Sequence, residues 1–326
     1  MNAVSTRGRS IVLTGASSGI GHATALELAR RGERIVLASR NRATLEPVAR
    51  ECESLGAAGV LVVPTDVTDP AQVEALASAA ISAFGHIDVW INNVGVGVVG
   101  LYDKTPLALH RRVVESNLFG HMYGAHAALR HFRKRGRGTI INMISMGGWV
   151  AAPYAAAYTA SKFALRGLTE SIRAEVSSLP DVHVCAVYPT FVDTPGVEQH
   201  GANQIGKTLR TPPGAVDPQD VADAIANLVD APRDTTAIGL GATPARIAHA
   251  LAPGLTGRIG AHVMESAFDK ADEAPLSTGN LFFPSVGTTM HGPRTVARQR
   301  EGQISPLVGL AALGAGWLLL KALSRR

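Results

Sequence analysis

Tyr158 and Lys162 are the two residues whose types and spacing most clearly suggest chemistry. Residues four apart share one face of a helix, so the Lys162 ammonium is expected beside the Tyr158 phenol. A free phenol has a pKa of about 10, and a neighbouring cation favours the phenolate and so lowers that pKa. A phenol tuned in this way can donate a proton to a forming alkoxide or remove one from an alcohol. Ser145, which follows a predicted strand, is expected to hydrogen-bond the same substrate oxygen.

A glycine-rich turn follows the first predicted strand. Residues 14–21 read Thr-Gly-Ala-Ser-Ser-Gly-Ile-Gly. Glycines at 15, 19 and 21 let the backbone turn tightly and approach a ligand closely. The free N–H groups and the positive dipole end of the following helix favour a pyrophosphate there. Between a first strand and a helix, this turn predicts a dinucleotide site.

The same turn also contains Gly15-x-Ser17-x-Gly19, the spacing of the nucleophile elbow in α/β-hydrolases. Such an elbow normally follows several strands and has its acid and histidine downstream. Here it follows the first strand, and no downstream histidine has neighbours that suggest a triad. A serine hydrolase using Ser17 is therefore the least supported alternative.

The ends of the second and third predicted strands hold residues suited to an adenosine. Ser39 followed by Arg40 suits the 2′-phosphate of NADP, whereas a carboxylate there would bind the 2′-hydroxyl of NAD. The alternative is that Arg40 and Arg42 are only solvated loop charges. Asp66 and Val67 could hold the adenine, and Asp66 could equally be a local turn former.

Short apolar runs rich in Val and Ile alternate with longer segments of helical spacing over the first 240 residues. Runs that do not alternate in polarity predict strands covered on both faces. Their repetition predicts an α/β fold: a Rossmann-type doubly wound parallel sheet with helices on both faces. Strands are predicted at 11–13, 34–38, 59–63, 87–91, 139–143 and 182–187. Helices are predicted at 19–31, 43–55, 70–84, 106–135, 156–178 and 218–229.

The pattern loosens after residue 235 and predicts a C-terminal extension. A last strand is expected at 237–240, followed by helical segments through 249–251 and 259–268. Residues 275–300 are rich in Gly, Pro, Ser and Thr, which is typical of a linker. The predicted domains are therefore a dinucleotide-binding catalytic domain at 1–240, a helical extension and linker at 241–300, and an apolar segment with basic flanks at 301–326.

Composition excludes several classes of protein. Two cysteines cannot form a disulfide framework or a Cys-based zinc site, and no metal site is predicted. Six basic residues and one acidic residue lie in 291–326 and account for the whole net charge of +5. The remainder is electrically balanced, so no nucleic-acid partner is expected. The polar N-terminus lacks a signal-peptide core, and a cytoplasmic location is expected.

The segment 306–320 carries no charge and is flanked by basic residues. Fifteen residues in a helix span roughly 22 Å, short of the ~30 Å hydrocarbon core. Basic groups on both sides suit contact with one anionic membrane face, and a peripheral or C-terminally anchored enzyme is one expectation. The alternative is a helix that covers an apolar groove or a subunit interface.

Together these motifs resemble the short-chain dehydrogenase/reductase family, in its branch of about 250 residues. The resemblance rests on Thr14–Gly21, Asn92–Gly95, Asn117, Ser145 and the Tyr158/Lys162 pair, in the right order and spacing. It extends from about residue 9 to 240. It implies a Rossmann-type sheet, a nicotinamide cofactor, a homo-oligomer, and oxidation or reduction at an alcohol or carbonyl carbon.

The resemblance also implies roles by position. Tyr158 would be the acid/base and Ser145 the donor to the substrate oxygen. Lys162 would lower the Tyr158 pKa and hold the nicotinamide ribose, and Asn117 would anchor a water that links Lys162 to solvent. The residues implied to line the cofactor are Gly15, Ser17, Ser18, Gly19, Ile20, Gly21, Arg40, Asp66, Val67, Asn93, Gly95, Tyr158, Lys162, Pro189, Val192 and Thr194.

Two positions depart from the family pattern. Val94 stands where the family has alanine, and Thr190 stands where it has glycine after the sixth strand. Thr190 cannot easily take glycine-only angles, so a differently shaped loop is expected there.

The expected substrate is a hydrophobic carbonyl compound or the corresponding alcohol. Residues 146–154 and 96–101 are apolar and would form two walls of the pocket. Residues 196–215, with Lys207 and Arg210, would form a mobile lid that could accept an acidic substituent. The sequence thus favours an NADP(H)-dependent oxidoreductase; an NADP(H)-binding sensor or scaffold without turnover is the alternative.

Overall fold

The computed structural model describes residues 8–292. The strands are β1 Ser10–Thr14, β2 Arg34–Ser39, β3 Gly59–Pro64, β4 Val89–Asn92, β5 Val98–Val99, β6 Gly138–Met143, β7 Val182–Pro189, β8 Ala202–Asn203 and β9 Thr235–Ile238. The helices are α1 Gly19–Arg30, α2 Arg42–Ser54, α3 Pro70–Phe84, α4 Leu107–Val114, α5 Gly120–Arg135, α6 Ala156–Glu175, α7 Pro195–Glu198, α8 Pro218–Asp230, α9 Ala242–Leu251 and α10 Pro253–Asp269.

Seven of these strands form one parallel sheet in the order β3-β2-β1-β4-β6-β7-β9. The predicted doubly wound architecture is therefore confirmed. The strand order reverses between β1 and β4, which opens a crevice at their carboxyl ends. The two remaining strands, β5 and β8, pair with each other beside that edge.

The core is divided between the two faces of the sheet. Successive side chains of a strand point to opposite faces, and β1 follows this rule while being buried throughout. Ile11 and Leu13 pack with residues of α1, α2 and α8, whereas Val12 packs with residues of α3, α5 and α6. The non-alternating apolar runs of the sequence reflect this burial on both faces.

Two predicted elements differ from the structure. The helix predicted at 106–135 is interrupted by a π-helical turn, Glu115–Phe119, between α4 and α5. The strand predicted at 237–240 lies two residues earlier, as β9. It ends at Ile238, because the next residue, Gly239, has a φ of +99° and takes the chain out of the extended conformation.

The described part of the predicted linker packs against the domain. After α9 and α10, residues 275–292 hydrogen-bond to β8, to the glycine-rich turn and to the loop after β7. Among the described residues, no helix is long and apolar enough to cross a membrane. The apolar segment 306–320 lies outside the described residues, and the division into domains stays a prediction.

Candidate active site

Three of the predicted catalytic-type residues come together at the carboxyl edge of the sheet. Ser145 follows β6, and α6 presents Tyr158 and Lys162 on one face. A side-chain hydrogen bond joins Ser145 to the Tyr158 phenol. The buried Lys162 ammonium donates to the Met143 carbonyl at 3.0 Å and lies 5.7 Å from the centroid of the Tyr158 ring.

The pKa directions differ from the sequence expectation. Burial raises the pKa of Tyr158, and the Ser145 hydrogen bond only partly opposes that rise. Burial also lowers the pKa of Lys162 to about 7. The Lys162 charge is not among the causes of this shift, and its role in lowering the Tyr158 pKa stays a prediction. Tyr158 is held as a neutral phenol at neutral pH.

Ser145 has a strained backbone. Its φ of 127° and ψ of 159° lie in a region that is nearly exclusive to glycine, and such a conformation costs about 1–3 kcal/mol. Among the described non-glycine residues, only Tyr154 also has a positive φ. The Ser145 hydroxyl accepts a hydrogen bond from the Gly147 N–H at 3.1 Å. The strained turn thereby aims the hydroxyl towards Tyr158.

Asn117 lies in the π-helical turn and is fully buried. Its side-chain oxygen accepts from the Val96 N–H at 2.8 Å, and its amide nitrogen donates to the Val96 carbonyl at 2.9 Å. The same nitrogen donates to the Ser161 hydroxyl at 3.1 Å. Asn117 thus joins the loop after β4 to α6, in the turn of the helix beside Tyr158.

The glycine-rich turn has the close approach that its sequence predicts. Gly15 and Gly19 have φ values of +66° and +55°. A Cβ atom at Gly21 would collide with the Gly15 carbonyl oxygen. The Asn93 amide donates to the carbonyls of Thr14 and Gly15, each at 3.2 Å, and this fixes the turn against the end of β4.

The rest of the predicted cofactor-lining set surrounds this turn. Ser18 precedes α1 and makes no capping hydrogen bond with its side chain, and the side chain of Ile20 packs on the core. Thr194 lies so close to Gly19 that a Cβ there would come within 3.2 Å of it. A Cβ atom on Gly95 would lie 3.9 Å from the Lys162 ammonium nitrogen, so Gly95 faces that side chain.

The loop after β7 accommodates Thr190, which stands where the family has glycine. Thr190 does not have a positive φ, and its N–H donates to the Ile238 carbonyl at 2.9 Å. Its side chain fits because Gly239 faces it, where any Cβ atom would collide with Thr190. Pro189 ends β7, and Val192 packs on the core beside a bridge to Val216.

Ser39 and Arg40 lie at the end of β2, as expected for an adenosine site. Among the described residues the buried Ser39 hydroxyl has no hydrogen-bond partner. The Arg40 guanidinium donates to backbone carbonyls of residues 280–283. Burial lowers the pKa of Arg40. A hydroxyl without a partner beside a half-buried guanidinium is a donor pair that suits a phosphate.

Asp66 and Val67 are both engaged by neighbouring groups. Asp66 accepts from Thr68 at 2.7 Å and from Arg112 at 2.9 Å. Burial raises the pKa of Asp66, but these hydrogen bonds and the Arg112 charge outweigh it and lower the pKa overall. Val67 packs against Gly120 at the start of α5.

A buried polar network supports the site from below. Asn92 donates to Asn142 at 2.9 Å, and Asn142 donates to Thr169 at 3.0 Å. His121 contacts the Val94 carbonyl at 2.9 Å. Sequence reasoning missed Asn142, Thr169 and His121. Asn142 gave the one local indication of this network, because it is a polar residue inside the apolar run of β6.

Three side chains of the expected pocket wall and lid have partners that the sequence did not predict, while the wall and the lid themselves stay predictions. Trp149 is buried and stacks on Tyr188 with ring centroids 3.8 Å apart, so it belongs to the core. Lys207 pairs with Glu273 at 2.5 Å and Arg210 with Asp272 at 3.3 Å. These partners, which the sequence pattern did not connect, tie residues 196–215 to the segment after α10.

The residues present fit a nicotinamide dinucleotide. The crowding around Gly15 and Gly21 shows that backbone, not side chains, lines the turn, and Ser39 offers an unused donor beside Arg40. The turn, the β2 end and Tyr158 lie along the same carboxyl edge of the sheet.

Comparisons with known proteins agree with the site. The family described as short chain dehydrogenase matches residues 9–205. A Bacillus subtilis protein named Uncharacterized oxidoreductase YxnA is 32% identical over 97% of this chain and 90% of its own length. A protein of Arachis hypogaea named 11-beta-hydroxysteroid dehydrogenase A is 36% identical over 57% of this chain and 53% of its own length.

Solved structures share the fold. An alcohol dehydrogenase from the archaeon Thermococcus sibiricus, complexed with 5-hydroxy-NADP, aligns with a TM-score of 0.62 and 27% identity. That alignment covers 71% of this chain and 95% of the archaeal one. With the family match over more than half of the chain, the resemblance is confirmed: this chain belongs to the short-chain dehydrogenase family of oxidoreductases.

Proposed function

We propose that the chain is an NADP(H)-dependent oxidoreductase that interconverts a ketone or aldehyde and an alcohol on a hydrophobic small molecule. The observation that supports this most is the convergence of Ser145, Tyr158 and Lys162 beside the glycine-rich turn. A nicotinamide cofactor bound there supplies or accepts a hydride.

Tyr158 is the acid in the reducing direction. The phenol is protonated at neutral pH, because its pKa lies above the ordinary value of about 10, and the protonated form can donate to the carbonyl oxygen as that oxygen gains charge. Ser145 hydrogen-bonds the same oxygen and holds it within reach of the phenol. Lys162 is anchored by Met143 and lies next to Gly95, in a position to bind a ribose hydroxyl.

The substrate side of Tyr158 is apolar. A buried cluster borders the phenol ring and includes Val98, Leu109, Val113, Ala157 and Ala202. Because both lid cations are paired, the walls offer no free charge from Lys207 or Arg210 for an acidic substituent. The similarity to a protein named for hydroxysteroids also supports a hydrophobic substrate.

For a direct test, the purified protein is incubated with NADPH and a panel of aliphatic, aromatic and alicyclic ketones. The absorbance of NADPH, which is lost when it is oxidised, is followed over time. Oxidation of NADPH that depends on the ketone supports the proposal. Binding of NADPH without turnover of any ketone or alcohol would favour the alternative, a sensor or scaffold.

Cofactor choice is tested by Arg40→Asp. This change removes the cation suited to the 2′-phosphate and offers a carboxylate to the ribose hydroxyls. We expect the ratio of kcat/KM for NADPH to that for NADH to fall by at least about tenfold, the loss of one charge-assisted hydrogen bond. The matched control is Arg42→Asp, at an exposed arginine beside the same loop. A wild-type enzyme that prefers NADH would overturn the NADP assignment.

A further inference from the structure

Residues 279–292, here called the strap, run back across the carboxyl edge of the sheet after α10. Near its start the Asn280 N–H donates to the His200 carbonyl at 2.9 Å. At its end the Gly292 N–H donates to the Asp193 carbonyl, also at 2.9 Å. The strap is therefore fixed at both of its ends to the segment between β7 and β8, beside the groove that the proposed function assigns to the dinucleotide.

The strap hydrogen-bonds to Arg40, the arginine assigned to the 2′-phosphate. The Arg40 guanidinium donates to the carbonyls of Asn280 at 2.6 Å, Leu281 at 3.2 Å and Phe283 at 3.3 Å. Arg112 donates to the same Leu281 carbonyl at 3.0 Å. At these distances the carbonyl oxygens stand where phosphate oxygens would accept from Arg40.

The strap also reaches the glycine-rich turn. The Gly19 N–H donates to the Thr289 carbonyl at 3.1 Å. One residue earlier, the Thr288 carbonyl lies 2.6 Å from His22 Nδ1, whose other ring nitrogen lies 3.1 Å from a Glu51 carboxylate oxygen. A carbonyl can only accept, so His22 donates to the strap. Donors at both ends of the groove are thus bonded to strap backbone.

One buried aliphatic side chain of the strap packs into the domain. Leu281 is 1% exposed and belongs to the apolar cluster that borders Tyr158, together with Val98 and Leu109. Val286, five residues further along the strap, is 94% exposed. Removing the Leu281 side chain should loosen the strap, whereas removing that of Val286 should not.

We propose that the strap is an autoinhibitory segment that competes with the cofactor for Arg40 and Gly19 and must lift before the dinucleotide can bind. This inference rests on the proposed function, because it takes the groove to be the cofactor site. A cofactor that binds only the strap-open form has an apparent Kd equal to its intrinsic Kd divided by the open fraction.

The exchange is physically reasonable in both directions. Arg40 gives up hydrogen bonds to neutral carbonyls and gains hydrogen bonds to phosphate oxygens, which carry a negative charge opposite to its own. The burial of Leu281 and the contacts of the strap with Asp193 and His200 favour the closed form. The difference in free energy between the closed strap and the open, cofactor-bound form sets the cofactor concentration at which the enzyme becomes active.

The first test measures NADPH binding to full-length variants by the change in NADPH fluorescence. We expect Leu281→Ala to lower the apparent Kd by about fivefold or more, because it raises the open fraction. Val286→Ala is the matched control, an aliphatic truncation in the same strap, and its Kd should equal that of the wild type. An unchanged or raised Kd in Leu281→Ala would overturn the proposal.

The second test needs only the wild-type protein and follows backbone hydrogen exchange with and without NADPH. We expect NADPH to speed exchange in the strap and to slow it in residues 14–21. Slower exchange in the strap would mean that it covers the bound cofactor, and the competition proposal would be wrong. If neither NADPH nor NADH binds wild type or Leu281→Ala, the proposed function falls and the strap proposal falls with it.

Discussion

Ser145 combines a glycine-like backbone with a hydroxyl that the chemistry needs. A glycine at this position would remove the strain and the hydroxyl together, whereas an alanine would remove the hydroxyl alone. The two substitutions therefore separate the role of the side chain in the site from its cost to the fold.

We expect both Ser145→Ala and Ser145→Gly to lose most carbonyl reduction, and Ser145→Gly to be the more stable of the two by about 1–2 kcal/mol. This figure is the relief of strain less the extra unfolded-state entropy of glycine, about 0.4–1 kcal/mol. Urea unfolding of the two variants measures the difference. A Ser145→Gly protein no more stable than Ser145→Ala would show that the backbone is unstrained.

His121 makes the stability of the folded protein depend on pH. Burial and the nearby Lys162 charge lower the pKa of His121 to about 3. The unfolded chain binds a proton at this residue below pH of about 6.5 and the folded chain does not, so stability falls as pH falls from about 6.5 towards 3. This contribution is about 1.4 kcal/mol for each pH unit in that window.

The test compares the wild type with His121→Gln, whose side chain can still donate to the Val94 carbonyl. Between pH 7 and pH 5 we expect the free energy of unfolding to fall by about 2 kcal/mol more in the wild type than in His121→Gln. The free energy of unfolding in urea at the two pH values gives the comparison. The same loss in both proteins would mean that His121 is protonated in the folded state.

At the scale of elements, the interruption between α4 and α5 decides where Asn117 lies. The apolar spacing over 106–135 predicts one helix, because a single added residue barely changes a period of 3.6. The π-helical turn is therefore invisible in the sequence, and it places the Asn117 amide against Val96. π-Helical turns are frequent at functional sites.

We expect Asn117→Ala to lower the free energy of unfolding by about 2–4 kcal/mol, because it leaves the partly buried N–H and C=O of Val96 without the side chain that pairs with both. Asn41→Ala is the control of the same chemistry, since it removes only the N-cap of α2 at a cost of about 1 kcal/mol. Equal losses in the two variants would contradict the role given to the turn.

The sheet and the glycine-rich turn were predictable because local sequence determines them. Apolar runs such as β1 mark strands buried on both faces, and the glycines at 15 and 21 are needed where the turn meets Asn93. The pKa directions of Tyr158 and Lys162 were not predictable, because they depend on how deeply the folded protein buries the two side chains.

At the scale of the whole molecule, the strap was the least predictable part. Its residues have the composition of a linker, and its contacts with Arg40 and Gly19 use backbone carbonyls that every residue type provides. No local pattern records such contacts. In contrast, the motifs around Tyr158 were recognisable because their chemistry depends on the side chains themselves.

The central claim is that Tyr158 transfers the proton in an enzyme that binds NADPH in the groove beside it. Tyr158→Phe keeps the ring and removes only the phenolic hydroxyl. Tyr154→Phe is the matched control, since the Tyr154 hydroxyl bonds to Glu265 at 2.9 Å, away from the Ser145 and Lys162 side chains. The decisive measurement is kcat for carbonyl reduction together with the Kd for NADPH in both variants.

We expect Tyr158→Phe to lose about 10²–10⁴-fold in kcat while its NADPH Kd stays within about twofold of wild type, and Tyr154→Phe to resemble wild type in both. Turnover by Tyr158→Phe at a rate near that of the wild type would contradict the account.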